Sequence, residues 1–548
     1  MAEPASYDVV VLGGGVNGAG VARDCAMRGL SVLLLERRDL AAGASGASSG
    51  MIHGGIRYML SDRKVTELAC RDAGFIRRIA PHLVFRIPFI MPFASRAEEA
   101  TLLERAAWYA TEVYVGTYDL YQPLKGGRAS TRLTPGEMYA LEPSLRPGLG
   151  GAVTLDEWGI DGQRLCLLNA LSAESHGARI RTWTEGTGVV RDGGRVVGVR
   201  WRDGLTGEHG EARAAVVLNA TGAWSPLWGR RSGVEVPMRP GKGVHLSLDR
   251  RFSNYGIICK AVDGRQMFLM PHEDESIIGT TDDDYYGDPD DLEATSDEVA
   301  YLLEGVESLV PAVRRARVTR AWCGVRTTLY EYGKVEDALS REHQLLDHAA
   351  EGARGLFSFV GGKLASYRAQ SEEVTDHLLA FLGKAPRPCR THEEPLPGGD
   401  EVPDPVELAR RHGVGAGAAA RLVYRQGSRA REVLALADED PRLKLAVCRD
   451  EGILAAEVVF VARHEKVRRL QDLRRRCRLA IAGCGGLDCA RIGAQLVAHE
   501  LGWDADQLRA ELADLLEVNW RERRTVLDGW QLAEEELLRA VHRGLGGL

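Results

Sequence analysis

The chain predicts an α/β Rossmann-like dinucleotide-binding domain, an antiparallel β lobe inserted into it, and an all-α C-terminal domain. Three observations carry this. Residues 7–36 read strand, glycine turn, helix, strand, acid. Residues 234–282 are rich in strand-type runs. From Pro405 onward the pattern is helical almost throughout, opened by Asp404 as N-cap and Pro405 at the first helical position.

The first stretch organises the rest. YDVVVL is a short apolar run, and Gly13-Gly14-Gly15-Val16-Asn17-Gly18 follows at once. An apolar-periodic stretch reaches Gly29, and a second apolar run ends at Glu36. Gly13 allows the tight turn, Gly15 lets the backbone approach a pyrophosphate, and Gly18 lets the helix pack closely on the strand. The pyrophosphate sits on the free N–H groups of the helix N-terminus, and Glu36 accepts hydrogen bonds from ribose hydroxyls. Glycines at this spacing are weak evidence alone; the strand before, the helix after and the acid at the right distance make them specific. A carboxylate at the ribose disfavours a 2′-phosphate, so NAD or FAD is expected rather than NADP.

Composition bounds the function. The 548 residues allow two or three domains, and a hydrophobic share of 45% supports a large core. A net charge of −7 argues against a general nucleic-acid binder. The opening MAEPASYDVVVL has no basic n-region and no long apolar run, so neither a secretory signal nor a bilayer span is expected. Ten cysteines without extracellular framework spacing suit a reducing cytoplasm, with thiols free or bound to metal.

In chain order, residues 41–55 (AAGASGASSGMIHGG) are either a flexible loop or a loop lying against a flat ligand. His53, Arg57 and Tyr58 beside it suggest a substrate-facing segment, with His53 equally readable as structural. Residues 62–82 read as a helix, and 85–93 (FRIPFIMPF), with its prolines, as an extended edge or loop. Trp108, Tyr109, Tyr114, Tyr118 and Tyr121 form an aromatic stripe that fits a core or an interfacial patch on a membrane. A helix is expected over 164–176, then a hairpin turning at Asp192-Gly193-Gly194. Residues 214–218 lead into Asn219-Ala220-Thr221-Gly222 as a parallel strand returning to the nucleotide. A helix is expected over 289–310, and LFSFVGGKLASY at 356–367 is a strand, then glycines, then a helix. Gly361 and Gly362 make a second helix-N-terminal site for an anion or carbonyl. The domains expected are 1–392, whose β lobe lies mainly in 80–150 and 230–330, a Pro/Gly/acid-rich linker at 393–405, and helical 406–548. The basic run at 466–478 reads as a solvated helix face or a contact with acidic lipid.

GGGVNGAG, IHGGIRY, IIGTTDD, CGVRTT and GGKLASYR occur in order at plausible spacing. Together they resemble the FAD-dependent, quinone-linked glycerol-3-phosphate dehydrogenases over nearly the whole chain. The resemblance implies oxidation of sn-glycerol 3-phosphate to dihydroxyacetone phosphate, with electrons passed to quinone. It implies that Gly13, Gly14, Gly15, Asn17, Gly18, Glu36 and Arg37 hold the ADP half of FAD. It places Ser45, Ser48 and Ser49 along the pyrophosphate and flavin, Ala220, Thr221 and Gly222 at the adenine side, and Gly361, Gly362 and Lys363 beside the flavin. Arg57 and Arg326 resemble a phosphate-binding pair, while Tyr58, Thr281 and Arg341 would line the substrate. The family often has SGVRPL and GGKLTTYR, so Cys323, Thr327, Ala365 and Ser366 are departures.

The residues support this chemistry. Planar, always-charged guanidinium groups suit a phosphate dianion. A secondary alcohol needs no metal if a base removes the hydroxyl proton while hydride leaves carbon for the flavin. His53 is the candidate base, and a cation such as Lys363 would stabilise the reduced flavin. Cys448 with Asp450, and Cys484 with Cys489, resemble the ligand spacing of the [2Fe–2S] domains appended to anaerobic-type catalytic subunits of this family, with Asp450 where a cysteine would stand. The alternative is a vestigial helical domain with free thiols. The expected setting is cytoplasmic and peripheral on the inner membrane face, held directly or through a partner protein. Homodimers are also compatible. Competing readings are an oxidase of the same substrate using O2, an amine or amino-acid oxidase of the same fold, and a non-enzymatic electron-transfer protein.

Overall fold

The structure, a computed structural model, describes residues 6–56, 59–60, 62–95, 99–330, 333 and 342–546. Two lobes interleave along the chain. β1 (Tyr7–Leu12), α1 (Val16–Met27) and β2 (Val32–Leu35) open the nucleotide lobe. α2 (Arg63–Ile79) leads out to β3 (Val84–Pro92), α3 (Leu102–Tyr118), α4 (Gln122–Lys125), β4 (Arg132–Leu133), α5 (Pro135–Leu141) and β5 (Ala152–Ile160). The chain returns through α6 (Gly162–Ser175) and β6 (Arg179–Arg181), then the hairpin β7 (Thr184–Asp192) and β8 (Arg195–Asp203), β9 (His209–Asn219) and α7 (Ser225–Arg231). The second lobe is completed by β10 (Met238–Leu248), β11 (Gly256–Lys260), β12 (Gln266–His272), β13 (Glu275–Gly279), β14 (Asp283–Asp284), α8 (Ser296–Glu307) and β15 (Val318–Leu329). β16 (His343–Asp347), β17 (Leu356–Gly361) and α9 (Tyr367–Phe381) close the first lobe.

The nucleotide sheet runs β16-β17-β9-β1-β2-β6, with β1 parallel to both β2 and β9. β1 is central, and both its faces are covered. Val9 and Val11 pack with α1, α6 and α9, while Val10 and Leu12 pack with the β7–β8 hairpin and Trp228. That explains an unbroken apolar run where a one-sided strand would alternate. The hairpin joins the sheet through β8 and the outer half of β9.

The second sheet runs β14-β10-β13-β12-β11-β3-β5-β4, with β15 along β10. Here one expectation is corrected. Residues 85–93 are neither loop nor edge: β3 pairs with β5 along its length and with β11 at Phe89 and Ile90. The β11 pairing begins just past Pro88, which is how an internal strand accommodates a residue without an N–H.

The C-terminal part comprises α10 (Pro405–His412), α11 (Ala416–Gln426), α12 (Ala430–Glu439), α13 (Ala455–His464), α14 (Leu473–Cys477), α15 (Leu487–Leu501), α16 (Ala505–Arg523) and α17 (Gly529–Gly546) around its own core. Asp404 caps α10, accepting from the N–H of Val406 at 2.8 Å. The basic run at 466–478 is neither a solvated face nor a lipid contact. Buried Arg476 pairs with buried Asp39 of the nucleotide lobe at 2.7 Å, Arg468 with Asp203 at 2.7 Å, Lys466 with Glu174 at 2.6 Å and Arg478 with Glu451 at 2.8 Å. Its charge fastens the helical domain to the rest of the molecule.

Candidate active site

A cleft opens where the parallel strands of the first sheet end, the usual ligand position in such sheets. Gly13, at φ +103°, stands at its floor; a Cβ there would lie 2.5 Å from the Ala220 carbonyl oxygen. A Cβ on Gly18 would meet the Gly13 carbonyl oxygen at 2.0 Å, so α1 reaches this close to the turn only through glycine. The cradle a dinucleotide needs is therefore built, with the α1 N-terminus facing the cleft through Gly15, Val16 and Asn17. Glu36 lines the same cleft and braces the turn, accepting from the N–H groups of Gly14 (2.7 Å) and Arg38 (2.8 Å). Burial pushes its carboxyl up against the pull of those donors.

The small-residue loop also faces the cleft. The Ser45 hydroxyl accepts from the Val16 N–H at 3.0 Å, and Ser48 and Ser49 are cleft residues. Ala220, Thr221 and Gly222 line the cleft together with Arg37, Arg38 and Trp224. There the Arg37 guanidinium stacks 4.8 Å from the Trp224 ring centre, and Arg37, Arg38 and Trp224 all bond Asp290 of the other lobe. Across the cleft, the Asn17 side chain donates to the Gly361 carbonyl at 3.2 Å, joining the two glycine turns. Gly361, Gly362 and Lys363 line that wall. The residues present thus fit a whole FAD: a pyrophosphate seat, a ribose carboxylate and a wall for the ring.

At the flavin end the cleft is lined by Met51, His53, Phe268, Arg326, Thr327 and Lys363, so three of the four predicted catalytic residues meet. The fourth, Arg57, lies with Tyr58 and Arg341 outside the described residues. Arg326 projects from β15; its guanidinium pairs with Asp282 at 2.7 Å and donates to the Thr280 hydroxyl at 3.0 Å. Gly243 on the neighbouring strand leaves room for it, since a Cβ there would sit 2.9 Å from the guanidinium.

Thr281 is corrected. It is buried, and its hydroxyl accepts from the Val244 N–H and donates to the Lys242 carbonyl, so Thr280 supplies the hydroxyl beside Arg326. His245 is a residue the sequence reading missed. Its Nε2 lies 2.8 Å from the Ser49 hydroxyl, and its ring stacks on Trp322. Burial, then the charge of Arg326, lowers it to about 3, which keeps it neutral at working pH.

The four implied cluster ligands lie near one another at one end of the helical domain. Cys448 and Cys489 are buried in the helical core, where the Cys448 sulfur accepts from the Glu451 N–H at 3.5 Å and the Cys489 thiol donates to the Gly486 carbonyl at 3.3 Å, while Cys484 and Asp450 are exposed. Among the described residues, no group of three or more His, Cys, Asp or Glu side chains is placed to hold a metal ion. No cluster is assigned to these residues, and no electron step is routed through one.

Residues 8–368 match the family described as FAD dependent oxidoreductase, and residues 389–508 the C-terminal domain of alpha-glycerophosphate oxidase. The chain is 34% identical to a subunit of the anaerobic glycerol-3-phosphate dehydrogenase of Escherichia coli (strain K12), over 99% of this chain and 97% of that one. It is also 34% identical to glycerol-3-phosphate dehydrogenase 2 of Mycobacterium tuberculosis (strain ATCC 25618 / H37Rv), over 93% and 87%. In fold it matches the glycerol-3-phosphate dehydrogenase of Bacillus halodurans, solved with FAD, at a TM-score of 0.74 and 23% identity over 96% and 97% of the two chains. With its glycine cradle, its two-sheet architecture and these full-length matches, the chain belongs to the FAD-dependent glycerol-3-phosphate dehydrogenase family.

Proposed function

We propose that the chain oxidises sn-glycerol 3-phosphate to dihydroxyacetone phosphate and passes the electrons to a quinone. The observation that carries this is Arg326, a guanidinium held by Asp282 and Thr280 in the wall of the cleft that His53 and Lys363 also line. Bound FAD supplies the ring that accepts hydride. Arg326 holds the phosphate by a charge-assisted, two-donor contact, with Arg57 as the second arm of the pair. That anchoring sets the secondary alcohol carbon against the flavin wall at Gly361–Lys363 and its hydroxyl toward His53. His53 takes the hydroxyl proton as hydride leaves. Lys363 carries the positive charge that favours the reduced ring. The named dehydrogenase relatives support the substrate, and residues 393–405 are taken as the joint between the catalytic and helical domains.

Quinone is a lipid-phase acceptor, and no helix among the described residues is long and apolar enough to cross a membrane. We infer peripheral attachment on the cytoplasmic face through α3. Its outer side presents Leu102, Leu103, Tyr109 and Val113, with Leu120 just past its end, each 62–87% exposed. Such an apolar strip is unusual on a surface that faces only water. The acceptor is tested by anaerobic turnover with a soluble quinone and by peroxide measurement in air. Quinone reduction matching substrate consumption is expected; stoichiometric hydrogen peroxide with no quinone turnover would contradict it.

A further inference from the structure

Directly behind His53 lies a closed polar cluster that the chemistry above does not use. Lys125, at the end of α4, is fully buried. Its Nζ donates to Glu157 Oε2 at 2.6 Å, to the Asp156 carbonyl at 2.6 Å and to the Tyr118 hydroxyl at 3.0 Å. Tyr118, from α3, donates in turn to Glu157 Oε1 at 2.6 Å. Glu157 Oε2 also accepts the N–H of Gly54, the residue after His53, at 3.2 Å. The main chain lies flat against this cluster: a Cβ on Gly54 would come within 2.2 Å of both the Tyr118 hydroxyl and the Cys70 sulfur. A second tie holds the same segment two residues on, where the Tyr114 hydroxyl donates to the Ile56 carbonyl.

Two buried ions carry a desolvation penalty that an apolar pair of equal volume would avoid, so stability alone is a poor reason for them. What they supply is direction. Lys125 spends all three protons, and Glu157 Oε2, besides its bond from Lys125, accepts one backbone N–H. That N–H belongs to the peptide following His53. Ring placement matters here, because a displacement of about 1 Å at a reacting group costs up to about 100-fold in rate.

We propose that Tyr118, Lys125 and Glu157 form a positioning unit that sets the His53 backbone against the flavin end of the cleft. This rests on the reading of His53 as the base. The inner faces of α3 and α4 thus serve the substrate segment, from behind and without touching substrate.

The test uses the purified holoenzyme of Tyr118→Phe, which keeps the ring and the Lys125–Glu157 pair. Flavin content, thermal midpoint and anaerobic stopped-flow reduction by glycerol 3-phosphate are measured. Full FAD content, an unchanged half-saturation concentration and a limiting reduction rate lowered about 10-fold are expected. In the double variant with His53→Asn, the rate should equal that of His53→Asn alone, because both changes act through one group. A wild-type limiting rate in Tyr118→Phe while His53→Asn is slow, whatever the thermal midpoint, would overturn the positioning unit alone. Independent multiplication of the two effects would overturn its action through His53. A wild-type rate in His53→Asn itself would overturn the base assignment and the proposal together. Should Tyr118→Phe fail to retain FAD, Glu157→Gln, which keeps the side-chain shape but weakens the grip on Lys125 and the Gly54 N–H, carries the same test.

Discussion

Arg326 and His53, both lining the cleft, carry the proposed chemistry at the residue scale. The Arg326 guanidinium is held by Asp282, the Thr280 hydroxyl and the Thr281 carbonyl, so its orientation is fixed before substrate arrives. Arg326→Lys keeps the charge but loses the paired donors. Loss of a charge-assisted bond amounts to about 1.5–3 kcal/mol, and steady-state kinetics should show half-saturation raised by roughly 10- to 150-fold. Equal kinetics would remove Arg326 from phosphate binding. His53→Asn should keep FAD, slow flavin reduction by about 100-fold and abolish the acidic limb of the pH–rate profile near neutral pH. His245, neutral down to about 3, does not generate that limb, so a surviving limb would point to another base. Arg326, His53 and the glycines were legible because each sits in a motif with a chemical reason for its residue type. Thr280 was not legible: which of two adjacent threonines turns its hydroxyl to Arg326 depends on the pairing of β10 with its neighbours. His245 lies in a strand whose apolar neighbours give no hint that its ring meets Ser49.

At the scale of elements, the aromatic stripe around α3 divides among several roles. Trp108, Tyr118 and Tyr121 are buried, Tyr109 is exposed, and Tyr114 reaches the substrate segment. Aromatic content alone cannot separate these roles, because a helix turns its residues to opposite sides every two positions. Val113→Asp with Leu120→Asp alters only the outer side. Flotation with anionic liposomes should recover the parent protein in the lipid fraction and lose the double variant, with flavin content unchanged. Equal flotation of both would clear α3 as the attachment surface. The β1–α1–β2 unit was readable as a strand, turn, helix and strand, since the turn and its packing are local. The basic run at 466–478 was misread because its partners, Asp39, Glu174 and Asp203, lie hundreds of residues away.

Across the whole molecule, buried ion pairs join the helical domain to the nucleotide lobe. Glu465 is one anchor: it pairs across the boundary with Arg164 at 2.6 Å and, inside the helical domain, with Arg429 at 2.9 Å. Burial alone would raise its carboxyl, but the two arginines outweigh it and hold it at about 2. An unfolded glutamate titrates at about 4.3, so this contribution is complete above that pH and is lost as pH falls toward about 2. Thermal midpoints should therefore fall steeply across that window, and Glu465→Gln should flatten the dependence while lowering stability at neutral pH. A parallel profile for wild type and variant would show that the interface is held otherwise. The account as a whole stands on one event: glycerol 3-phosphate placing hydride on the flavin bound in the cleft. Anaerobic titration of the holoprotein with glycerol 3-phosphate reads that event directly. Bleaching of the flavin absorbance, complete near one substrate per flavin and slowed in His53→Asn, is the predicted result. An oxidised spectrum that persists in excess glycerol 3-phosphate, while a chemical reductant bleaches the same sample, would contradict it.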